Sequence, residues 1–222
     1  MQLQEQETFT ISGPQLTVLG AAESRLPAPA RKKPAAALFL AALALASVFG
    51  LGGLKMQGRC RQVRAAFSAA DEYGNSIVQD LAAQADAAAS LIRLGGRILG
   101  EEDADVSYAA QALDAYNRSD KQNAADQYRC NANLTGAVGD LYLAAGRRAD
   151  DDAKAQLEAL YAEFTSRQAI VERAAANDYN PQAQAYNETA RAFPANVIGA
   201  LWGVSSAPLF DAADTAGFSA AP

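Results

Sequence analysis

Residues 34–54 read PAAALFLAALALASVFGLGGL, twenty-one positions without an acidic, basic or amide side chain. At ~1.5 Å per residue this run makes a helix about 30 Å long, the thickness of a bilayer's hydrocarbon layer. A helix also satisfies its backbone polar groups within the segment, as lipid requires. A secretory signal would place a shorter apolar core close to the initiator, whereas here 33 residues precede it. A buried core helix would normally keep one polar face. A lipid-modified cysteine is excluded because Arg59 stands directly before Cys60. The segment reads as a transmembrane helix, with membrane lipid as its partner.

Sidedness follows from the flanks. Arg25, Arg31, Lys32 and Lys33 precede the span; Lys55, Arg59, Arg61 and Arg64 follow it. Basic residues favour the cytoplasm most strongly on short flanks, and long domains translocate largely regardless of charge. The Arg31-Lys32-Lys33 cluster on a short tail therefore predicts a cytoplasmic N-terminus and an extracytoplasmic body. Residues 1–33 show little periodicity, with Pro27 and Pro29 as a stiff spacer, and are predicted to be a disordered cytoplasmic tail.

From Lys55 onward the chain carries 15 Lys and Arg against 22 Asp and Glu, a net charge of −7. Nucleic-acid binding needs concentrated positive charge, so that partner class is set aside. Alanine dominates and β-branched residues are sparse, which favours helix. Val63, Phe67, Ala70, Gly74, Ile77, Leu81, Ala85, Ala88 and Leu91 alternate steps of three and four and predict one long helix. Gly95-Gly96 and Gly100 are expected to end it. Val106, Ala109, Ala110, Leu113 and Tyr116 mark a second, shorter helix. Ser119 or Asp120 would cap a third with the stripe Tyr128, Leu134, Val138 and Leu141. Asp150-Asp151-Asp152 opens a fourth, containing Leu157, Leu160, Phe164 and Val171, with a kink or restart expected at Pro181.

The fold class predicted is all-α: an N-terminal transmembrane helix followed by an up-and-down antiparallel four-helix bundle, with three long helices as the alternative. Phe67, Ile77, Leu81, Leu141, Leu157, Leu160 and Phe164 should carry most of the burial energy. In the four-helix arrangement Cys60 and Cys130 lie at different heights and form no bridge; three long helices would bring them level.

The chain has no histidine and two cysteines seventy residues apart. It therefore lacks the commonest general base and the spacing of a zinc or CxxC site. Gly95-Gly96 has no phosphate-loop pattern around it. The acidic runs at 101–105 and 150–152 read as helix N-termini. No catalytic, cofactor-binding or metal residues are predicted.

Residues 170–211 read IVERAAANDYNPQAQAYNETARAFPANVIGALWGVSSAPLFD. The pairs Tyr179-Asn180 and Tyr186-Asn187 stand seven residues apart, followed by Phe193-Pro194-Ala195-Asn196-Val197-Ile198 and a closing Phe210-Asp211. This pattern resembles the C-terminal signature of the LemA family. Asn133–Val138 is similar to that family's L-T-x-A-L helix, and Arg61–Arg93 to its long first helix. Pro181 departs from the pattern, as does Gln79–Gln84 in place of the family's R-x-D-L-I-P run. The resemblance implies a bacterial single-pass protein with an external helical bundle and no established catalytic residues.

The residues also have a direct physical reading. Seven residues are two helical turns, so both Tyr-Asn pairs face one way. Tyr179 and Tyr186 are expected to pack on the first helix with their hydroxyls reaching a partner or water. Asn180 and Asn187 are expected to bond across helices and fix register. With Phe193 and Pro194 they form the interaction or register site predicted here. Ile198, Leu201 and Trp202 are predicted membrane-surface residues, in competition with docking on the bundle's open end. The organisation expected is thus a tail (1–33), a transmembrane helix (34–54), a LemA-like bundle (60–194) and an apolar C-terminal segment with a tail (195–222). The function expected is a non-catalytic structural or interaction module of the cell envelope, with an envelope or membrane protein as partner. A ligand-sensing bundle relaying to a membrane partner is the alternative.

Overall fold

A computed structural model describes residues 33–71 and 74–212 of the 222; of the predicted tail over 1–33, residues 1–32 lie outside them and Lys33 already opens a helix. Among the described residues all regular structure is helical. The chain separates into two compact units, 1–52 and 53–222. The described part of the first unit is the opening of helix α1 (Lys33–Ala66). The most apolar window of this helix has a mean hydropathy of 2.2, and almost none of it is buried in protein. Leu38, Leu40, Leu43 and Leu45 are all exposed. A core helix would bury one face; the apolar stretch of α1 is uncovered, and the helix is long enough to cross a membrane.

The stripe that predicts one long helix from Val63 to Leu91 is interrupted. Helix α1 ends at Ala66 and α2 (Ile77–Leu99) begins eleven residues later. In the break, the Asp71 N–H donates to the Asn75 carbonyl at 2.7 Å and the Asn75 N–H to the Asp71 carboxylate at 2.9 Å. Gly74 lies in the turn at φ 84°, where a side chain would be strained. Ser76 then caps α2: its hydroxyl accepts from the Gln79 N–H, and its own N–H donates to Gln79 Oε1. This reciprocal pair satisfies two donors at the helix start. It is local chemistry that an apolar stripe does not register. Phe67, sitting in the break, is buried.

Gly95 and Gly96 do not end α2. The helix continues to Leu99 and stops at Gly100, at φ 101°. Gly95 serves close approach instead, since a Cβ there would stand 2.7 Å from Leu141 Cδ1 of helix α4 (Ala124–Gly146). Helix α3 (Ala104–Arg118) starts at Asp103, whose carboxylate accepts from the Asp105 N–H. Helix α4 is capped by Asn123 rather than Ser119 or Asp120; its Oδ1 accepts from the N–H groups of Ala125 and Asp126. Ser119 and Asp120 are used one step earlier, in the turn, where Gln127 Nε2 donates to the Ser119 hydroxyl and the Asp120 carbonyl. Asp150 caps helix α5 (Asp151–Ala174) as its sequence suggests.

Helix α2 is central, packing most extensively on α5 and also on α3 and α4; α3 and α4 pack on each other. Phe67, Ile77, Leu81, Leu141, Leu157 and Phe164 are buried, with Leu160 half-buried at the margin. Alanines 85, 88, 109, 137 and 145 fill the spaces between them. Tyr142 of α4 stacks on Tyr161 of α5 at 4.0 Å between ring centroids. Cys60 and Cys130 are free thiols.

Gln84 is fully buried on α2, and among the described residues neither its amide nitrogen nor its oxygen has a hydrogen-bond partner. Burying an amide this way costs about 1–3 kcal/mol. Gln84→Met keeps the length of the side chain and removes both polar atoms. It should raise stability by about 1–2 kcal/mol, read as a higher urea midpoint at unchanged slope. A lower midpoint would give the amide a bonding role in the native state.

Candidate functional site

The chain leaves α5 through a five-residue π-helical turn, Ala175–Tyr179, and continues as α6 (Asn180–Arg191). Pro181 is the cause. Without an N–H and with a ring that crowds the preceding turn, it cannot continue an α-helical ladder. Widening by one residue accommodates it, and the Asn180 N–H donates to the Ala175 carbonyl. The kink or restart expected at Pro181 thus takes the form of a π-bulge, after which the α-helix resumes at Asn180. Beyond it Tyr179, Ala183, Tyr186 and Asn187 form one buried stripe.

This stripe grips the returning chain. After α7 (Ala195–Trp202) and Gly203, which is left-handed at φ 62°, residues 204–210 run back without helical structure beside α6. Asn187 makes two bonds to one residue: its Nδ2 donates to the Ala207 carbonyl and its Oδ1 accepts from the Ala207 N–H, both at 2.8 Å. Asn180 repeats the arrangement on Phe210, at 3.1 and 2.9 Å. Tyr179 donates its hydroxyl to the Pro208 carbonyl at 2.6 Å, and Tyr186 to that of Ser205 at 3.4 Å. Burial, with the Cys60 thiol beside it, pushes the Tyr186 hydroxyl pKa well above its usual range, so the group remains a donor.

The seven-residue spacing has a geometric basis. Two helical turns advance ~10.5 Å, and three residues of extended chain advance ~10 Å. Asn180 and Asn187 therefore meet Phe210 and Ala207 in register. Each primary amide offers a donor and an acceptor, as a strand edge would.

Helix α1 holds the other side of the returning segment. Arg64 donates to the Ser205 hydroxyl at 2.7 Å and to the Ser206 carbonyl at 3.3 Å, and the Cys60 thiol donates to the Ser205 carbonyl at 3.6 Å. Phe67 lies 5.0 Å from the Tyr179 ring and 5.8 Å from that of Phe210, which also meets Tyr128 at 5.3 Å. Arg61 and Arg64 further line a cleft of about 470 Å³ with Ser68, Asp120 and Asn123.

The four Tyr-Asn residues are thus brought together, but not as their spacing alone suggests. The asparagines bond the extended C-terminal segment instead of another helix, and the tyrosine hydroxyls bond its carbonyls. Phe193 and Pro194 stand apart from the ladder at an exposed turn. Ile198 is buried, which corrects its assignment as a surface residue; Leu201 and Trp202 are exposed. The Trp202 ring lies against Gly53, where a Cβ would overlap it. Cys60, Arg64 and Ala207 also belong to this site although no sequence pattern marks them, and Phe210 enters it as a partner of Asn180. Only the return of the chain brings them to it.

Fold and site define a class: a helical protein with, among the described residues, one strongly apolar helix of the dimensions of a membrane anchor, and with its C-terminal segment clasped by paired Tyr-Asn side chains. The chain belongs to the LemA family, whose family model matches residues 74–222. No curated protein and no solved structure matches it.

Asn187→Ala would strand the buried N–H and carbonyl of Ala207, and a loss of about 2–3 kcal/mol is expected. Tyr179→Phe removes one bond to Pro208 and should cost about 1 kcal/mol. Urea unfolding of the full chain in detergent, followed by circular dichroism, checks both. Unchanged midpoints would free the stripe for a binding role.

Proposed function

We propose that this protein is a non-catalytic, single-pass module of the bacterial cell envelope. Its body, arranged as an up-and-down four-helix bundle, stands outside the cytoplasmic membrane and acts as a structural or protein-interaction element. One observation supports this above others. The helix that contains the apolar run also supplies Cys60 and Arg64, and Phe67 just past its end, to the body's packing and hydrogen bonds. The basic cluster before the span favours a cytoplasmic N-terminus, and the net negative charge of the body favours its solubility. An envelope or membrane protein is the partner inferred.

Protease added to spheroplasts carrying a chain tagged at both ends should digest the body and its C-terminal tag while sparing the N-terminal tag. Loss of the N-terminal tag with the body intact would invert the topology and remove the envelope role.

A second reading, a ligand sensor relaying to a membrane partner, draws on the cleft lined by Arg61 and Arg64. Both residues lie on α1, so an anion bound there would bear on the helix that continues into the span. The sensor reading requires that small carboxylates or phosphates raise the melting temperature of the full chain and that Arg61→Ala abolish the rise. No shift across such a panel leaves the scaffold reading.

A further inference from the structure

Ala192–Phe210, AFPANVIGALWGVSSAPLF, is nineteen residues long and carries no charge, with Arg191 and Asp211 at its borders. Within it α7 has two faces. The inner face is Ile198, 6% exposed, and Gly199, where a Cβ would lie 2.8 Å from Met56 Cε. The outer side is largely apolar as well, with Asn196 its one exposed polar residue: Val197 is 42% exposed and Leu201 70%, and Phe193 in the preceding turn is 84% exposed. Val197 and Leu201 stand four positions apart on one face of α7, and Phe193 lies in the turn that leads into it. Trp202 closes this surface at 37% exposure, its ring edge against Gly53.

The residues beneath α7 say what covers it. Gly53 and Met56 belong to α1, and the apolar run ends at Leu54. At ~1.5 Å per residue, the α1 positions on which α7 rests lie within about 3 Å of the end of the span along the helix. A helix docked there, apolar outward and uncharged, sits at the depth where hydrocarbon gives way to headgroups. Tryptophan accumulates at that depth, and short apolar helices lie flat in it. Lys55 and Arg59, both exposed on the same stretch of α1, are placed to meet lipid phosphates.

We propose that α7 and the Phe193 turn embed in the interfacial layer of the membrane that α1 crosses, giving the protein a second lipid contact beside its anchor. The occupant of the exposed face is lipid. Phe193, Val197 and Leu201 enter the acyl boundary and Trp202 lies among the headgroups. This rests on the membrane anchoring proposed above.

The single tryptophan makes the test direct. The full chain is reconstituted in phosphatidylcholine–phosphatidylglycerol vesicles, with and without phosphatidylcholine brominated near the headgroup end of its chains. Docking predicts that the brominated lipid removes about half or more of the Trp202 emission, and that the Val197→Glu/Leu201→Glu double variant recovers most of it. Both substituted side chains are exposed, and circular dichroism verifies that the helix content is kept. Absence of quenching in the wild-type chain overturns the proposal by itself. So does equal quenching in the double variant, which would reflect proximity to the anchor alone. Emission that depends on protein density but not on bromine would place a second copy on α7 and also overturn it. Flotation of the same vesicles reports the anchor separately: protein that floats with unquenched Trp202 loses α7 docking only, whereas protein that fails to float loses both readings.

Discussion

Two asparagine side chains hold the C-terminal segment as a neighbouring strand would, and much of the molecule's tertiary arrangement depends on them. Asn187 on Ala207 and Asn180 on Phe210 supply four bonds between a helix and an extended chain, elements whose backbones cannot pair directly because the helix consumes its own donors and acceptors. The match of two helical turns to three extended residues lets one spacing serve both partners. With the segment held, Phe210 enters the aromatic group of Phe67, Tyr128 and Tyr179, and Ser205 comes within reach of Cys60 and Arg64. The C-terminus is thereby the seam that joins α1 to α6.

The body obeys a second constraint, its small-residue composition. Alanines along α2, α3 and α4 bury little area each but permit close contact between helices, and Gly95 takes this furthest against Leu141. Little of the packing energy then comes from any one alanine, so Leu81, Leu91, Leu134, Leu141 and Phe164, all fully or almost fully buried, carry a large share. The helix starts are defined by local caps at Ser76, Asp103, Asn123 and Asp150. Such caps divide an alanine-rich chain, which would otherwise stay helical through its turns, into separate elements.

Clasp, anchor and α7 bear on one stretch of α1. Between Gly53 and Phe67 the chain passes from Gly53 and Met56, which meet Trp202 and Gly199 of α7, to residues that hold the returning segment. Tyr186 completes the group, its hydroxyl kept protonated by burial while it donates to the same Ser205 carbonyl that Cys60 addresses. The polar groups there are consumed in holding backbone.

The amino-acid sequence by itself determined what depends on composition and local periodicity. The apolar run at 34–54 defines a helix of bilayer length, the alanine-rich stripes define an all-helical body, and the paired Tyr-Asn motif with Phe193-Pro194 points to the family. Asp150 was legible as a helix start, and so was Pro181 as a disturbance. The tertiary structure decided everything that required knowing where the chain returns. It made Asn180 and Asn187 clamps on backbone rather than pins between helices, turned Ile198 inward, and gave Gly95 a packing role where its sequence reads as a stop. It also divided the stripe from Val63 to Leu91, because a glycine turn and a capping box outweigh apolar periodicity at that point. The physical reason is common to these cases. Periodicity reports which residues share a face, whereas partners many residues away along the chain are chosen by the path of the backbone.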